Sequence, residues 1–334
     1  MKIGIFTSLQ KGDHTVENAV KSCQELGIDH EVVDIFASDW IKRVRESNCD
    51  GFFCPSVCQS QEKKTIQDER YYFVSEVMRR PIYPNFLGLY IHESKRNMAA
   101  WLTLNDIPHA DTFVFTNRKE ALCYFDSCRY PVVVKANVGA GASKVKILKS
   151  KAAAHCMVNR CFPKYAASLN IGYLYGGKMF GLPIFDRRNP QKDYIFVQDF
   201  VPDIVCEWRI LKIGDSYFGH QKLLKNGFAS GSGLVGWVKP PFELLDMARH
   251  ICELGNFPCM DVDIFETKEG RYIVNELQAS FGSYLPYQMM VDGKHGRYRY
   301  AGGEYVFEEG DFNIYGSVKL KIEHFVQLLC KQTK

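Results

Sequence analysis

Apolar and polar positions follow two periods along this chain. KIGIF, HEVVDIF (30–36) and DGFFCPS (50–56) are short apolar runs of strand length. Between the first two lies a segment, 14–27, that sets Val16, Ala19, Val20, Cys23 and Leu26 on one helical face, with Gly27 just past its end. Strands alternating with helices predict a small parallel sheet flanked by helices. A helix is expected near 94–104, stopped by Asn105-Asp106-Ile107-Pro108. YPVVVKANVGAGASKVKIL (130–148) predicts strand, glycine-rich loop and strand, followed by a helical segment around 150–168 and a less regular stretch over 172–193. Strands are expected over 194–201 and within 207–224, and FASGSGLVGW predicts a glycine-rich loop. Two amphipathic helices close the pattern. Over 241–254, Leu244, Leu245, Ala248, Ile251 and Cys252 turn inward; over 317–331, Val318, Ile322, Phe325, Val326 and Leu329 do. The class expected is α/β at the start and α+β beyond it.

One alternating stretch carries unusual polar residues. In FPCMDVDIFETKEGRYIVNELQASFG (257–282), residues 259–266 and 271–278 alternate and Lys268-Glu269-Gly270 breaks the pattern, as in two antiparallel strands with a tight turn. With Glu269-Gly270 as a two-residue loop, Asp263 faces Glu276 and Asp261 faces Gln278, and all four project from one side. Opposed carboxylates repel. They persist on a wet, solvated face or with a cation between them. Magnesium is the natural cation, since it takes one or two carboxylates plus phosphate oxygens. That choice requires a phosphate site elsewhere in the chain.

Composition narrows the field. The 334 residues, 46% hydrophobic and 24% charged, suffice for two or three domains with real cores. A net charge of +4, with the basic residues spread along the chain, argues against nucleic-acid and membrane-surface roles. Twelve cysteines at irregular spacing, with no leader ahead of them, point to free thiols in a reducing cytoplasm. Cys54 and Cys58 stand four apart, but no paired CxxC motifs support a structural zinc. No apolar run reaches the roughly 20 residues that span a bilayer.

The phosphate site is sought next. TSLQKGD after the first strand lacks GxGxxG, so the first domain is not expected to hold a nucleotide in the dinucleotide-fold manner. Lys135, by contrast, immediately precedes ANVGAGAS. Glycines let backbone N–H groups approach phosphate, and a lysine at the loop base adds a point charge. The loop joins two strands and lacks GK(S/T), so it is no Walker loop, and an ordinary glycine-rich hairpin competes with the phosphate reading. Lys95 alone reads as an exposed helix residue. Arg187-Arg188 reads as solvated loop charge or as an anion clamp. Unaccompanied His220 and His250 read as structural. The Tyr-rich segment 284–310 reads as a peripheral hairpin ahead of a stacking surface for a sugar or base.

Taken in order, these pieces resemble a known family. A lysine heads a helix ending in NDIP; PVVVKA…GAGAS follows; then VQDFV and an acid; then an Asp…Glu-x-Gln hairpin with a trailing glycine. Over about residues 90–282 the set resembles the ATP-grasp superfamily of carboxylate–amine ligases, similar to D-alanine–D-alanine ligase, glutathione synthetase and the ribosomal-protein glutamate ligases. The resemblance implies an ATP-grasp fold behind a Rossmann-like domain, divided at 1–90, 91–200 and 201–334. It implies that Lys95 and Lys135 bind the phosphates of ATP and that Gly139, Gly141 and Ser143 belong to a lid. It implies Gln198, Asp199 and Val201 at the adenine, Glu207 at the ribose, and Phe228, Ser230 and Ser232 near substrate or the γ-phosphate. Asp263, Glu276 and Gln278 would hold two Mg2+ ions, with Mn2+ able to substitute. Arg209 and Lys222 would be the catalytic cations. The chain departs from the family at Gln278, where relatives carry Asn, and at Asp261, where D-alanine ligases carry an oxyanion-stabilising Arg. It departs again at Phe281, where proline is usual, and at Asp199, where Glu is common. The oxyanion role would then pass to Arg209.

The implied reaction has two steps. A carboxylate attacks the γ-phosphorus of ATP, and an amine then attacks the acyl phosphate. Partners would be a small carboxylate and a small amine, with a sugar acid of surface-polysaccharide synthesis as the finer expectation. No nucleic acid and no membrane insertion are expected. Relatives are often dimers, so a homodimer is among the expectations. The competing classes are an inactive ATP-binding regulator or scaffold, and a phosphotransferase that does not ligate.

Overall fold

A computed structural model of the chain describes residues 1–7, 14–56, 60–139, 145–162, 193–225, 227, 229 and 232–332. These form two compact units, one of 1–108 with 203–334 and one of 109–202.

The first unit opens with β1 (Lys2–Phe6), α1 (Thr15–Glu25), β2 (Asp29–Val33), α2 (Trp40–Glu46), β3 (Gly51–Phe53), α3 (Gln61–Tyr72), β4 (Ile82–Tyr83), α4 (Phe86–Ile91) and α5 (Lys95–Leu104). The strands pair in parallel in the order β2-β1-β3-β4, as the alternation of strand and helix signals predicts. Ala19 and Cys23 of α1 are buried, with Val16, Val20 and Leu26 packed beside them, and Gly27 takes φ +64° where the helix ends.

The second unit comprises β5 (Thr112–Phe115), α6 (Arg118–Ser127), β6 (Val132–Lys135), β7 (Val145–Leu148), α7 (Lys151–Cys161) and β8 (Ile195–Asp199). Its sheet is antiparallel, in the order β5-β8-β6-β7. Asn117 and Ser150 cap the two helices with side-chain oxygens. Phe125, Ala154, Val158, Val132 and Val197 meet in a core of its own.

The first unit resumes with β9 (Ile204–Ile213), β10 (Ser216–Leu223), β11 (Val235–Gly236), α8 (Phe242–Leu254), β12 (Cys259–Thr267), β13 (Tyr272–Gln278), β14 (Met290–Val291), β15 (Lys294–Ala301), β16 (Glu304–Glu309) and α9 (Val318–Gln332). Eight strands make one sheet along the path β13-β12-β9-β10-β15-β14, with β11 on β10 and β16 on β15. The Tyr-rich segment thus supplies a hairpin at the sheet's far side. All five residues expected to turn inward on α8 are fully buried or nearly so, as are Val318, Ile322, Phe325 and Leu329 of α9. They join Ile210, Val262, Ile264 and Leu277 from one face of the sheet, and Ile3, Ile5, Phe53 and Tyr83 from the parallel sheet, in a single core. The opposite face of β9, β10, β12 and β13 is left for other chemistry.

Candidate functional site

The β12–β13 register explains why acids face each other. Asp263 pairs with Glu276 and Asp261 with Gln278, as the alternation predicts. The route differs from the expected two-residue turn. Glu266 pairs with Tyr272, and Gly270, at φ +73°, closes a three-residue turn in which its N–H donates to Thr267 O at 2.9 Å. That longer loop alone would put Asn275 opposite Asp263. A β-bulge between Asp263 and Ile264 inserts Asn275 as an unpaired residue and brings Glu276 into place. The two one-residue excesses cancel.

Adjacent strands complete a charged strip. In register, Asp263 lies beside Arg209 of β9, Glu207 of β9 lies beside Lys222 of β10, and Arg209 lies beside His220 of β10. Arg209 donates from Nε and Nη2 to Asp263 at 3.3 and 3.4 Å. Its Nη2 also stands 2.9 Å from Asp261 Oδ2, off the hydrogen-bonding direction, and neither Asp261 oxygen accepts a hydrogen bond. Lys222 Nζ donates to Asp263 Oδ2 and lies 3.8 Å from Glu207. The bulged Asn275 donates from Nδ2 to Glu207 Oε1 at 2.9 Å. Lys95, at the head of α5, puts Nζ 3.6 Å from Glu276 Oε1. Lys95 is buried, where an exposed helix lysine was the ordinary expectation, because this acid lies across from it.

The electrostatics follow from burial and sharing. Asp261, Asp263 and Glu207 are at most 1% exposed. Burial alone would raise all three. At Asp263 it is overcome by Arg209 and then Lys222, which hold the carboxyl well below its usual range. Burial pushes Asp261 up, and Arg209 offsets this only in part. Burial and the nearby Asp263 charge push Glu207 up. Lys222 is raised despite burial, by Asp263 and Glu207. His220, buried with Nδ1 2.9 Å from Gln288 O, is kept neutral by burial at about 4.

Among the described residues no three carboxylate, imidazole or thiol groups converge as a ready metal cage. Two directly opposed carboxylates with an amide carbonyl beside them do suit a hard cation that takes its remaining ligands from phosphate and water. Both acids are ion-paired with protein cations, Glu276 with Lys95 and Asp263 with Arg209 and Lys222, and a bound metal would have to displace them. Sequence reasoning placed Asp261 opposite Gln278 but not beside Arg209, and did not single out Asn275. The clue to Asn275 was its place in a strand that must absorb one surplus residue.

In the second unit, Lys135 ends β6 opposite Val145, and Gly139 follows at φ +153°. On β8, Gln198 pairs with Val133 and is buried, donating to Thr112 Oγ1 at 3.1 Å. Asp199 is exposed and accepts from the Tyr124 hydroxyl at 3.1 Å, and Val201 is half-buried just beyond the strand. Gly141, Ser143, Arg187, Arg188, Phe228, Ser230 and Cys58 lie outside the described residues. Ser232 donates its backbone N–H to Ala229 O at 3.1 Å. No disulfide joins the described cysteines, and no helix among the described residues is long and apolar enough to cross a membrane.

No family model matches the chain, and none of the curated proteins does. Solved structures do. A D-alanine–D-alanine ligase from Bacillus anthracis complexed with ATP superposes with a TM-score of 0.57 at 13% identity, covering 99% of each chain. A RimK domain ATP-grasp protein from Sphaerobacter thermophilus gives 0.54 at 14% identity, over 84% of this chain and 92% of that one. N5-carboxyaminoimidazole ribonucleotide synthetase from Thermotoga maritima gives 0.54 at 17%, over 83% and 68%. The chain has the ATP-grasp fold.

Proposed function

We propose that this chain is an ATP-dependent ligase that joins a carboxylate to an amine through an acyl phosphate, releasing ADP and phosphate. The observation that carries the reading is the opposed pair Asp263 and Glu276, flanked by Arg209 and Lys222 on the same strand face and by Lys95 at the head of α5. The ATP-grasp fold, and likeness to a ligase complexed with ATP, support it. In this reading Asp263, Glu276 and Gln278 hold magnesium, which when bound would neutralise charge on the phosphates. Lys95 and Lys135 serve the phosphates, with Gly139, Gly141 and Ser143 over them. Gln198, Asp199 and Val201 serve the adenine and Glu207 the ribose. Arg209 and Lys222 stabilise the charge that develops at the transferred phosphate and the acyl oxyanion. The reading retains the domains 1–90, 91–200 and 201–334. No observation among the described residues selects a sugar acid over other carboxylates, so the substrate stays a class.

Thermal unfolding with magnesium and a non-hydrolysable ATP analogue tests the nucleotide half. At about 100 times the dissociation constant, linkage gives roughly 2.7 kcal/mol, a rise of a few degrees for a chain of this size. Hydroxylamine trapping with a panel of carboxylates tests the acyl phosphate. A magnesium-dependent shift with no hydroxamate from any carboxylate would leave a nucleotide-binding protein and sink the ligase.

A further inference from the structure

Unit 1 buries another set of basic groups for which the nucleotide reading has no use. Lys321 sits on the core face of α9, 2% exposed. Its Nζ donates to Phe281 O and stands 3.4 Å from the centroid of the Phe281 ring. No carboxylate of the described residues lies within ion-pair distance of it. Lys64, equally buried on α3, is paired with Asp68 and donates to Leu89 O at 3.0 Å. The chain supplies a paired counter-charge in one case, and in the other only the field of Asp261 from beyond ion-pair distance.

His92 presents the matching anomaly. It is 4% exposed, and its Nδ1 is buried with no hydrogen-bond partner. Its backbone N–H closes the last turn of α4 on Gly88 O at 3.1 Å. Gly88 lies so close to the end of β13 that a Cβ there would stand 3.2 Å from the Ala279 Cβ. Ser280 Oγ accepts the Ser56 N–H at 3.2 Å, just beyond β3. The end of β3, the end of α4 and the core face of α9 therefore meet on one short segment, 279–281. It lies at the carboxyl ends of parallel strands, where open α/β sheets bind ligands. A buried ammonium without an ion-pair partner and a buried imidazole nitrogen without a hydrogen-bond partner are both costly. One anion accepting from both would remove both costs. Burial, then the charges of Lys64, Lys321 and Lys95, keep the imidazole neutral at about 3, so it meets an anion as a neutral N–H donor.

We propose that Lys321 and His92 form a carboxylate subsite at the 279–281 segment, which takes a carboxyl group of a substrate other than the one that is phosphorylated. This rests on the ligase reading for its use of the word substrate. The carboxyl group belongs either to the acyl donor, as its second acid, or to an amino-acid acceptor.

The test is calorimetric titration of the full chain with sodium succinate and with glycine at constant ionic strength. It uses the wild type, Lys321→Met and His92→Phe, with a non-hydrolysable ATP analogue and magnesium titrated into the same samples. The wild type is expected to bind one probe saturably, and each variant to bind it at least tenfold more weakly while nucleotide affinity stays within twofold. A succinate response assigns the donor, a glycine response the acceptor. No saturable binding of either probe to wild type, or variants that bind as wild type does, overturns the subsite. Failure of nucleotide binding with the probe still bound overturns the ligase reading and leaves the subsite standing. If Lys321→Met does not fold, His92→Phe decides alone.

Discussion

Lys222 and Lys321 are two lysines removed from water by the same unit, and they end in opposite electrostatic states. Lys222 lies on a strand face where Asp263 and Glu207 are supplied in register, and its pKa is raised in spite of burial. Lys321 lies on a helix face with a carbonyl and an aromatic ring, and burial lowers it to about 8. The difference teaches where each region gets its charge balance. The strand face pairs its own charges, and a metal bound there would have to compete with Lys222 and Lys95 for Asp263 and Glu276. The region around Lys321 gives it no ion-pair partner among the described residues, only the more distant charge of Asp261.

The largest expected effect tests the strand face directly. Glu276→Gln should reduce ATP-dependent ligation by at least about 1,000-fold, because metal-ion charge stabilisation is worth several kcal/mol of barrier, while the melting temperature barely moves. Retained turnover would remove Glu276 from the chemistry. Next, Asp263→Asn should cost about 3–5 kcal/mol in urea unfolding, since it strands Arg209 and Lys222 without their shared acid. Lys321→Met should cost less than half as much. Equal costs would erase the contrast between the two lysines. A smaller effect comes from the imidazole beside Arg209. His220 is neutral when folded, with its pKa lowered to about 4, and titrates near 6.5 when unfolded. Its stability contribution is full above about 6.5 and lost as pH falls toward 4. His220→Gln should therefore flatten the slope of unfolding free energy in that window by up to about 1.4 kcal/mol per pH unit. An unchanged slope would mean the ring already titrates normally. Smallest is Asn275→Ala, which removes one hydrogen bond to Glu207 and should cost about 1–2 kcal/mol. A negligible cost would make the bulge indifferent to that bond.

Sequence patterns read differently in the two regions for a physical reason. Alternation is strict in β12 and is broken in β13 only at the bulged Asn275, so the acids on one face and Val262, Ile264 and Leu277 on the other were legible. Helices α8 and α9 were legible from their apolar stripes. Helix α3 was not, because its buried face is Lys64, Gln67 and Tyr71 while Ile66 and Tyr72 are 42% and 47% exposed, the reverse of the usual amphipathic pattern. Lys321 left a signal that went unused. It falls three residues after Val318 and four before Phe325, on the stripe itself. A lysine at such a position either snorkels or is held, and periodicity alone does not say which. Gln198 and Asp199 were assigned only through the order of motifs, since each is ordinary in its own strand, whereas Lys135 was also marked by the glycine-rich loop that follows it.

The bulge at Asn275 carries a consequence for how spacing is read in chains of this kind. With a three-residue loop and a regular ladder, the residue opposite an aspartate lies twelve positions on; with one bulged residue it lies thirteen on. Both spacings deliver a carboxylate to the same point in space, because the strand can take up a surplus residue as a kink instead of a change of face. Parity along the sequence is therefore not parity across the sheet.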